Sequence, residues 1–405
     1  MKKKTTCRCC GKKKLVPYLD LGVQPLANSY HKGGKQNYYP LVVMVCTHCF
    51  NSQLSVVVDP DEMYKNYLYV SGTTKTFQAH CAELARDAVK RVGKRPRVLD
   101  IACNDGTQLE CFRALGADVI GVDPAENLRH LTVEKNIPVE VAYWDQTLAA
   151  KIGKFDIITA TNVFAHADDS DEFLKAAKLS LKEDGVLIIE FPYGLHTVEQ
   201  NEFDQVYHEH LSYFLVNSFA VLARRLHFTI VDIIQTSIHG GSIRFVLQKG
   251  QRTESPKVVL SIENEKKKGL LQLSTYRAYA KRIDTNKKKL RILVNKLHGQ
   301  GKKVVGYGAS AKGNTMLNFF GLNIAYIVDD NSLKWGYATP GRNIPIVSPA
   351  MLEAEKDPLF ILILSWNFSA EIATRVWEKR KQSKDKAVLY VPTIRSVAIQ
   401  NLRKK

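Results

Sequence analysis

Arg97-Val-Leu-Asp-Ile-Ala-Cys-Asn-Asp-Gly106 decides how this chain is read. A short apolar run, Arg97-Val-Leu, ends in an acid, and the loop from Asp100 to Gly106 turns into a helical segment around Leu109-Glu-Cys-Phe112. Asp118-Val-Ile-Gly-Val-Asp123 repeats the pattern of apolar residues closed by an acid. Asp156-Ile-Ile-Thr-Ala160 and Gly185-Val-Leu-Ile-Ile-Glu190 follow in the same style, and helical spacing such as that of 171–181 separates them. Strands of this length alternating with helices predict an α/β fold, with a mostly parallel sheet covered on both faces.

Outward from this unit the pattern changes twice. From 256 to 298, Leu270, Leu273, Tyr276, Tyr279 and Ile283 recur at helical spacing, which predicts a helical connector with a basic outer face. From 299 to 405 the alternation restarts: Lys303-Val-Val-Gly-Tyr-Gly308, Ala325-Tyr-Ile-Val-Asp-Asp330 and Leu359-Phe-Ile-Leu-Ile-Leu364 read as strands of a second Rossmann-like unit. Residues 1–62 lack helical periodicity and hold four cysteines in two pairs. A chain of 405 residues accommodates these pieces as two to three domains, with 63–255 as the central one.

Apolar content of 45% and charged content of 24% are those of an ordinary globular protein. The apolar runs are strand-sized, not the ~20 residues of a membrane span, and Met1 to Cys7 lacks the apolar stretch of a signal peptide. The expectation is a cytoplasmic protein with no membrane partner. A net charge of +18 raises the question of nucleic acid. The lysines, however, fall in scattered runs (Lys12–Lys14, Lys266–Lys268, Lys287–Lys289 and the tail 403–405) with no recognition-helix or RNA-binding signature. Solvated basic faces, or attraction of an anionic phosphate-bearing substrate, are the readings that remain.

Cys7-Arg-Cys-Cys10 and Cys46-Thr-His-Cys49 are each Cys-x-x-Cys. That spacing puts two thiolates on one turn, two corners of a tetrahedron, and two such turns close a structural zinc site through Cys7, Cys10, Cys46 and Cys49. Four thiolates leave no open position, which argues against catalytic zinc. Unliganded buried cysteines are the alternative.

In the loop after the first strand, a dinucleotide fingerprint would need Gly-x-Gly-x-x-Gly. Here Ala102 and Asn104-Asp105 stand where glycines would be. An acidic loop suits a cationic ligand without phosphates, and S-adenosylmethionine carries an ammonium and a sulfonium. Asp123, about 20 residues on, is placed to accept from ribose hydroxyls. The candidate cofactor residues are therefore Asp100, Asn104, Asp105, Gly106 and Asp123, with Asn162 at the end of the strand Ile157–Ala160. An NAD site or an empty α/β turn is the alternative, and Asn162 could equally open a helix.

Tyr207-His-Glu-His-Leu-Ser-Tyr-Phe214 crowds titratable groups that cores seldom hold. The His-Glu-x-x-His spacing of a helical zinc site is absent. General acid–base chemistry, with a His oriented by Glu or Tyr, is the economical reading, and a hydrogen-bonded turn the structural one. Ile238-His-Gly-Gly-Ser-Ile-Arg244 reads either as a loop contacting an anion or sugar, or as a hairpin turn.

Taken in order, the paired Cys-x-x-Cys, Pro25-Leu-Ala-Asn28, Tyr67-Leu-Tyr-Val-Ser-Gly-Thr-Thr-Lys-Thr76, Asn104-Asp-Gly106, Asn162-Val-Phe-Ala-His166, Tyr207–Phe214, His239-Gly-Gly-Ser242 and Gly306-Tyr-Gly-Ala-Ser-Ala-Lys-Gly313 resemble the nucleotide-sugar C-methyltransferases of deoxysugar biosynthesis. The resemblance runs nearly end to end. It implies a small zinc-binding domain, a central class I methyltransferase-like Rossmann domain, and a C-terminal Rossmann-like domain that binds nucleotide sugar rather than NAD. It also implies S-adenosylmethionine as cofactor and a 4-keto-6-deoxy sugar, commonly dTDP-linked, as substrate. By motif position it makes His210 the base that takes the C3 proton, with Glu209 and Tyr207 as neighbours. His166, His239, Ser242, Arg244 and Lys312 become the substrate-contacting candidates. Ala102-Cys103 departs from the usual glycine-containing loop but stays small. Two rivals stand beside this reading: an O- or N-methyltransferase of a related sugar or small molecule, and a zinc-containing nucleic-acid-binding protein.

Overall fold

The computed structural model describes residues 1–64, 67 and 70–403. Leu68 and Tyr69 of the Tyr67–Thr76 motif, and Lys404 and Lys405 of the basic tail, lie outside the described residues. The chain divides into two compact units, the first made of 1–16, 44–195 and 209–273, the second of 17–43, 196–208 and 274–405. Each contains one Rossmann-type sheet.

In the first unit, β1 (Arg97–Ile101), β2 (Asp118–Val122), β3 (Val139–Glu140), β4 (Phe155–Thr161), β5 (Leu181–Pro192), β6 (Phe228–Thr236) and β7 (Ser242–Lys249) form a seven-stranded sheet in the order β6-β7-β5-β4-β1-β2-β3. β1 to β5 pair in parallel, whereas β7 runs antiparallel to both β5 and β6. The order reverses at β1, so the crevice beyond its carboxyl end is where an open sheet of this kind binds a ligand. The central strands are mainly apolar because both faces are covered: Val98, Ile157, Ile188 and Val246 pack with Leu84 and Phe112 in one core cluster. The helix Lys75–Val92 contributes Leu84, and Thr107–Ala114 contributes Phe112. Each fully buried side chain of this size contributes about 1.5–3 kcal/mol. β1 is stopped by three left-handed residues, Ala102 (φ 58°), Asn104 (φ 51°) and Gly106 (φ 76°), after which the helix Thr107–Ala114 begins.

In the second unit six strands run in the order β10-β9-β8-β11-β12-β13, where β8 is Val304–Tyr307, β9 Ile327–Val328, β10 Ile346–Val347, β11 Phe360–Ile363, β12 Lys386–Leu389 and β13 Arg395–Ala398. All pairs are parallel except β12–β13. The helix Ala311–Phe320 follows the Gly306–Gly308 turn and is capped by Ser310, whose hydroxyl accepts from the Gly313 N–H. The predicted connector is two helices, Pro256–Lys267 and Leu273–Gly299. Tyr276, Tyr279 and Ile283 are buried on the second, while Leu270 lies in the break before it. The predicted α/β class with two Rossmann-type sheets is what the strand orders show. Among the described residues no helix is long and apolar enough to cross a membrane.

Candidate active site and metal centre

The thiols of Cys7, Cys10, Cys46 and Cys49 converge, all four sulfurs lying within 4.8 Å of one another. Cys7 Sγ is 3.5 Å from Cys49 Sγ, and Cys10 Sγ is 3.6 Å from Cys46 Sγ. A zinc–sulfur bond of about 2.3 Å places tetrahedral sulfurs about 3.8 Å apart, so the spacing fits one zinc ion. Each Cys pair is wound by a backbone turn: Gly11 N–H donates to the Cys7 carbonyl and Phe50 N–H to that of Cys46. Arg8, inside the first turn, is buried and donates through Nη1 to the carbonyls of Leu211 (3.1 Å) and Leu54 (3.3 Å), and through Nη2 to Asp168 (3.1 Å).

Beyond the carboxyl ends of β1, β2 and β4 lies a cavity of ≈ 280 Å³. Ala102, Asn104 and Asp123 line one side of it, Trp144 and Phe173 another, and Asn162 the β4 end. Asp123 is held rigidly, its carboxylate accepting from the backbone N–H of Asn104 and of Ala125, both at 2.8 Å. Burial raises its pKa against those two donors. Asn162 sits at φ 58°, and its Oδ1 is buried with no hydrogen-bond partner among the described residues. An orphaned buried acceptor calls for a donor from a ligand. Among the described residues the lining contains two acids, Asp123 and Asp168, and neither lysine nor arginine, although the chain carries +18. Such a wall suits a ligand with ammonium and sulfonium groups and disfavours a diphosphate, so the residues present fit S-adenosylmethionine.

Three of the six cofactor candidates thus line the cavity. The others turn elsewhere. Asp100 accepts from Thr159 Oγ1 at 2.6 Å in the core, and burial pushes its carboxyl up to about 7. Asp105 accepts from Gly72 N–H and Thr107 Oγ1. Gly106 supplies the left-handed turn, where a Cβ would lie 2.8 Å from Ile137.

Pro60, Tyr64, Tyr67 and Ser71 form a further wall of the cavity. Ser71 N–H donates to Asn104 Oδ1, and Tyr67 exchanges two bonds with the Asn127 side chain. A Cβ at Gly72 would fall 2.2 Å from Thr107 Oγ1 and 2.4 Å from Asp105 Oδ2, so a larger residue would have to displace those side chains. Tyr67 OH donates to Glu209 at 3.0 Å. Leu211 N–H donates to the Ala165 carbonyl (2.8 Å), which sets His210 beside His166 with ring centroids 5.1 Å apart. His166 lines the cavity and stacks on Tyr64 at 6.0 Å. Burial holds its pKa down to about 4, so the ring is neutral at pH 7. The first unit therefore gathers His166, Glu209 and His210 with Tyr64 and Tyr67 at one end of the cavity. Tyr207 and His208 belong to the segment 196–208 of the second unit.

The remaining substrate candidates are engaged elsewhere. Register opposes Arg244 on β7 to Glu190 on β5. Arg244 Nε donates to Glu190 Oε2 at 2.8 Å, and His80 Nε2 lies 2.6 Å from Oε1. Ser242 Oγ donates to the Ile238 carbonyl at the hairpin turn, and His239 sits there at φ 56° against Phe77. In the second unit Lys312 packs over the Trp366 ring at 4.8 Å, and the carboxylates of Glu202 and Asp204 raise its pKa against a larger lowering by burial.

Residues 7–64 match the model of a zinc binding domain, 77–233 that of a methyltransferase domain, and 237–392 that of a C-methyltransferase C-terminal domain. The chain is 32% identical over 381 residues to C-methyltransferase NovU of Streptomyces niveus, spanning 90% of each protein. It is 31% identical over 102 residues to the mitochondrial ubiquinone biosynthesis O-methyltransferase of Rattus norvegicus, 23% of this chain and 30% of that one. Among solved structures, the 1,6-didemethyltoxoflavin-N1-methyltransferase of Burkholderia thailandensis is 18% identical with a TM-score of 0.35, over 44% of this chain and 80% of that one.

Proposed function

The chain belongs to the C-methyltransferases, with a structural zinc site and S-adenosylmethionine as cofactor, and from that premise we propose that it methylates C3 of a nucleotide-linked 4-keto-6-deoxy sugar, most simply the dTDP form, with His210 as base. The observation that carries the chemistry is the grouping of His210, His166 and Glu209 at the end of a cavity fitted to a cationic cofactor. When bound, S-adenosylmethionine supplies an electrophilic methyl group.

The chain's own residues supply the nucleophile. A carbon beside a ketone is acidic because the charge left by its proton spreads on to oxygen. His210 takes the C3 proton, the C–H pair becomes the C3–C4 double bond, and the carbonyl π pair moves to oxygen. Tyr67 holds Glu209 at 3.0 Å, and in this reading Glu209 in turn orients the imidazole. Neutral His166 beside His210 avoids the repulsion that a second cation would impose when the base takes up its proton. Tyr207 is assigned to the same chemistry and Lys312, with His239 and Ser242, to the nucleotide sugar, whereas Arg244 is assigned to the buried pair with Glu190 rather than to substrate. The domain boundaries at 62, 255 and 298 belong to the same proposal. The cytoplasm is the proposed location.

Solvent-deuterium exchange tests the reading. The enzyme is incubated in D₂O with a dTDP-4-keto-6-deoxy sugar, and the C3 proton is followed by NMR before and after S-adenosylmethionine is added. Exchange followed by methylation at that carbon is the expected result, and His210→Ala should abolish both while cofactor still binds. No exchange and no product would reject the ketone substrate and point to oxygen or nitrogen acceptors.

A further inference from the structure

A ketone that becomes an enolate needs a hydrogen-bond donor waiting for its oxygen. One buried hydroxyl in the wall of the cavity belongs to Tyr64, at the end of the helix Pro60–Tyr64. Its ring lines the cofactor cavity and lies nearly parallel to that of His166, at 11° and 6.0 Å between centroids. It meets Tyr67, the residue bonded to Glu209, edge to face at 5.9 Å. Yet the Tyr64 hydroxyl is buried and has no hydrogen-bond partner among the described residues. Buried tyrosine hydroxyls ordinarily find one, and a phenol without a partner is worse placed for stability than a phenylalanine. Persistence of such a group in a cavity wall, next to the residues assigned to proton removal, is accounted for by a ligand oxygen that completes its bond.

Resting on the substrate reading above, we propose that Tyr64 is a catalytic residue, its O–H donating to the carbonyl oxygen of the methyl acceptor and keeping hold of that oxygen as it becomes the enolate. No proton leaves Tyr64; the C3 proton goes to His210, and the phenol stabilises the charge through a hydrogen bond that strengthens as it forms. Burial, then the charge of Glu209, hold the Tyr64 pKa well above that of an ordinary phenol, so the O–H remains a donor across the working pH range. The stack on His166 fixes the ring, and with it the direction of the O–H.

Tyr64→Phe keeps the ring and its stack and deletes only the hydroxyl. The expected result has three parts: an unchanged or slightly raised melting temperature, a cofactor dissociation constant within about twofold of the parent, and C3 exchange and kcat lowered about 10²–10³-fold with little change in KM. A fall of less than tenfold in the exchange rate would overturn the proposal. A lowered melting temperature would overturn it too, since the hydroxyl would then serve the fold. The parent enzyme separates the two readings. If the parent exchanges C3 and Tyr64→Phe exchanges equally well, only Tyr64 is wrongly assigned. If the parent itself does not exchange C3, the substrate reading fails and takes this inference with it.

Discussion

Arg244→Met is the substitution whose outcome the structure defines most sharply. A guanidinium beside a Gly-Gly-Ser loop looks like an anion-binding group, but this one is 1% exposed and its Nε donates to Glu190, itself 0% exposed. Burial alone would raise the Glu190 pKa; the hydrogen bond and charge of His80, with the charge of Arg244, outweigh it and hold the carboxylate below its ordinary range. Methionine fills most of the arginine's volume and leaves Glu190 with His80 alone. Removing one partner of a buried pair costs about 3–5 kcal/mol. For a unit of this size that is a fall in melting temperature of about 6–20 °C. The sign with pH follows. In the parent, a lowered carboxylate pKa contributes stability that is present above about pH 4.5 and lost as pH falls through the folded value. In the variant the uncompensated carboxylate picks up a proton more readily, so the gap between variant and parent is widest at neutral pH and narrows toward pH 4. Arg244→Met with Glu190→Met removes both charges and should recover most of the loss, less about 1 kcal/mol for the partner His80 loses. The assay is thermal and urea unfolding of the cofactor-free chain from pH 4 to 8, with KM for the acceptor sugar measured alongside. Arg244→Met unfolding within about 1 kcal/mol of the parent, with KM raised tenfold or more, would refute the burial argument and return Arg244 to substrate recognition.

Three further outcomes are expected. Cys46→Ser should lower bound zinc from one equivalent per chain and cost folding or solubility before chemistry, as metal analysis and circular dichroism would show; a zinc-free, fully active Cys46→Ser protein would contradict the structural role. Asn162→Gly preserves the φ of 58° while deleting the orphaned acceptor; cofactor affinity by calorimetry should fall about tenfold, for a hydrogen bond of about 1–1.5 kcal/mol, and unaltered affinity would exclude Asn162 from the cofactor site. His166 has a depressed pKa, about 4 against an ordinary 6.5, so its contribution to stability is whole above pH 6.5 and is lost as pH falls toward 4. His166→Asn should therefore flatten the acid arm of the stability curve by about 1–2 kcal/mol between pH 7 and 4, after discounting for a half-buried ring, and identical slopes for variant and parent would disprove it.

The central strands of both sheets were legible because buried parallel strands leave a simple trace, a short apolar run ended by an acid or a turn, whereas the antiparallel strands Phe228–Thr236 and Ser242–Lys249 were not read. Every run read this way from Arg97 to Leu364 coincides with a strand. The metal centre was legible because two turns of Cys-x-x-Cys admit little else. Side-chain direction was not. Asp100, Asp105 and Asp123 look alike in sequence, yet only Asp123 lines the cavity: Asp100 belongs to the strand Arg97–Ile101 and meets Thr159 on the neighbouring strand, and Asp105, between the left-handed Asn104 and Gly106, turns to Gly72. Arg244 read as a loop residue because its partner Glu190 is 54 positions away, and the register of β5 with β7 alone brings them together. Tyr64 carried a weak local signal, an aromatic three residues before the Tyr67 motif, but its stacking on His166 is a tertiary fact.

The same distinction explains why a zinc knot without catalytic ligands accompanies the acid–base residues. The knot fixes the turn that carries Arg8, and one turn of four residues thereby reaches three parts of the chain distant in sequence. Arg8 binds the carbonyl of Leu211, next to His210, and the Asp168 carboxylate, two residues beyond His166. Between them runs the Leu211-to-Ala165 hydrogen bond that sets the two histidines side by side. Asp168 also receives Lys4 at 2.9 Å, so its pKa stays below the ordinary range despite burial. An isolated guanidinium could not hold this seam: taken into the interior it would cost several kcal/mol, repaid only where every donor meets a fixed acceptor. Zinc supplies the fixity, because a turn whose Cys7 and Cys10 are cross-linked through the metal to Cys46 and Cys49 cannot relax away from the strain of placing a buried charge. On this argument the metal acts on the chemistry through position alone.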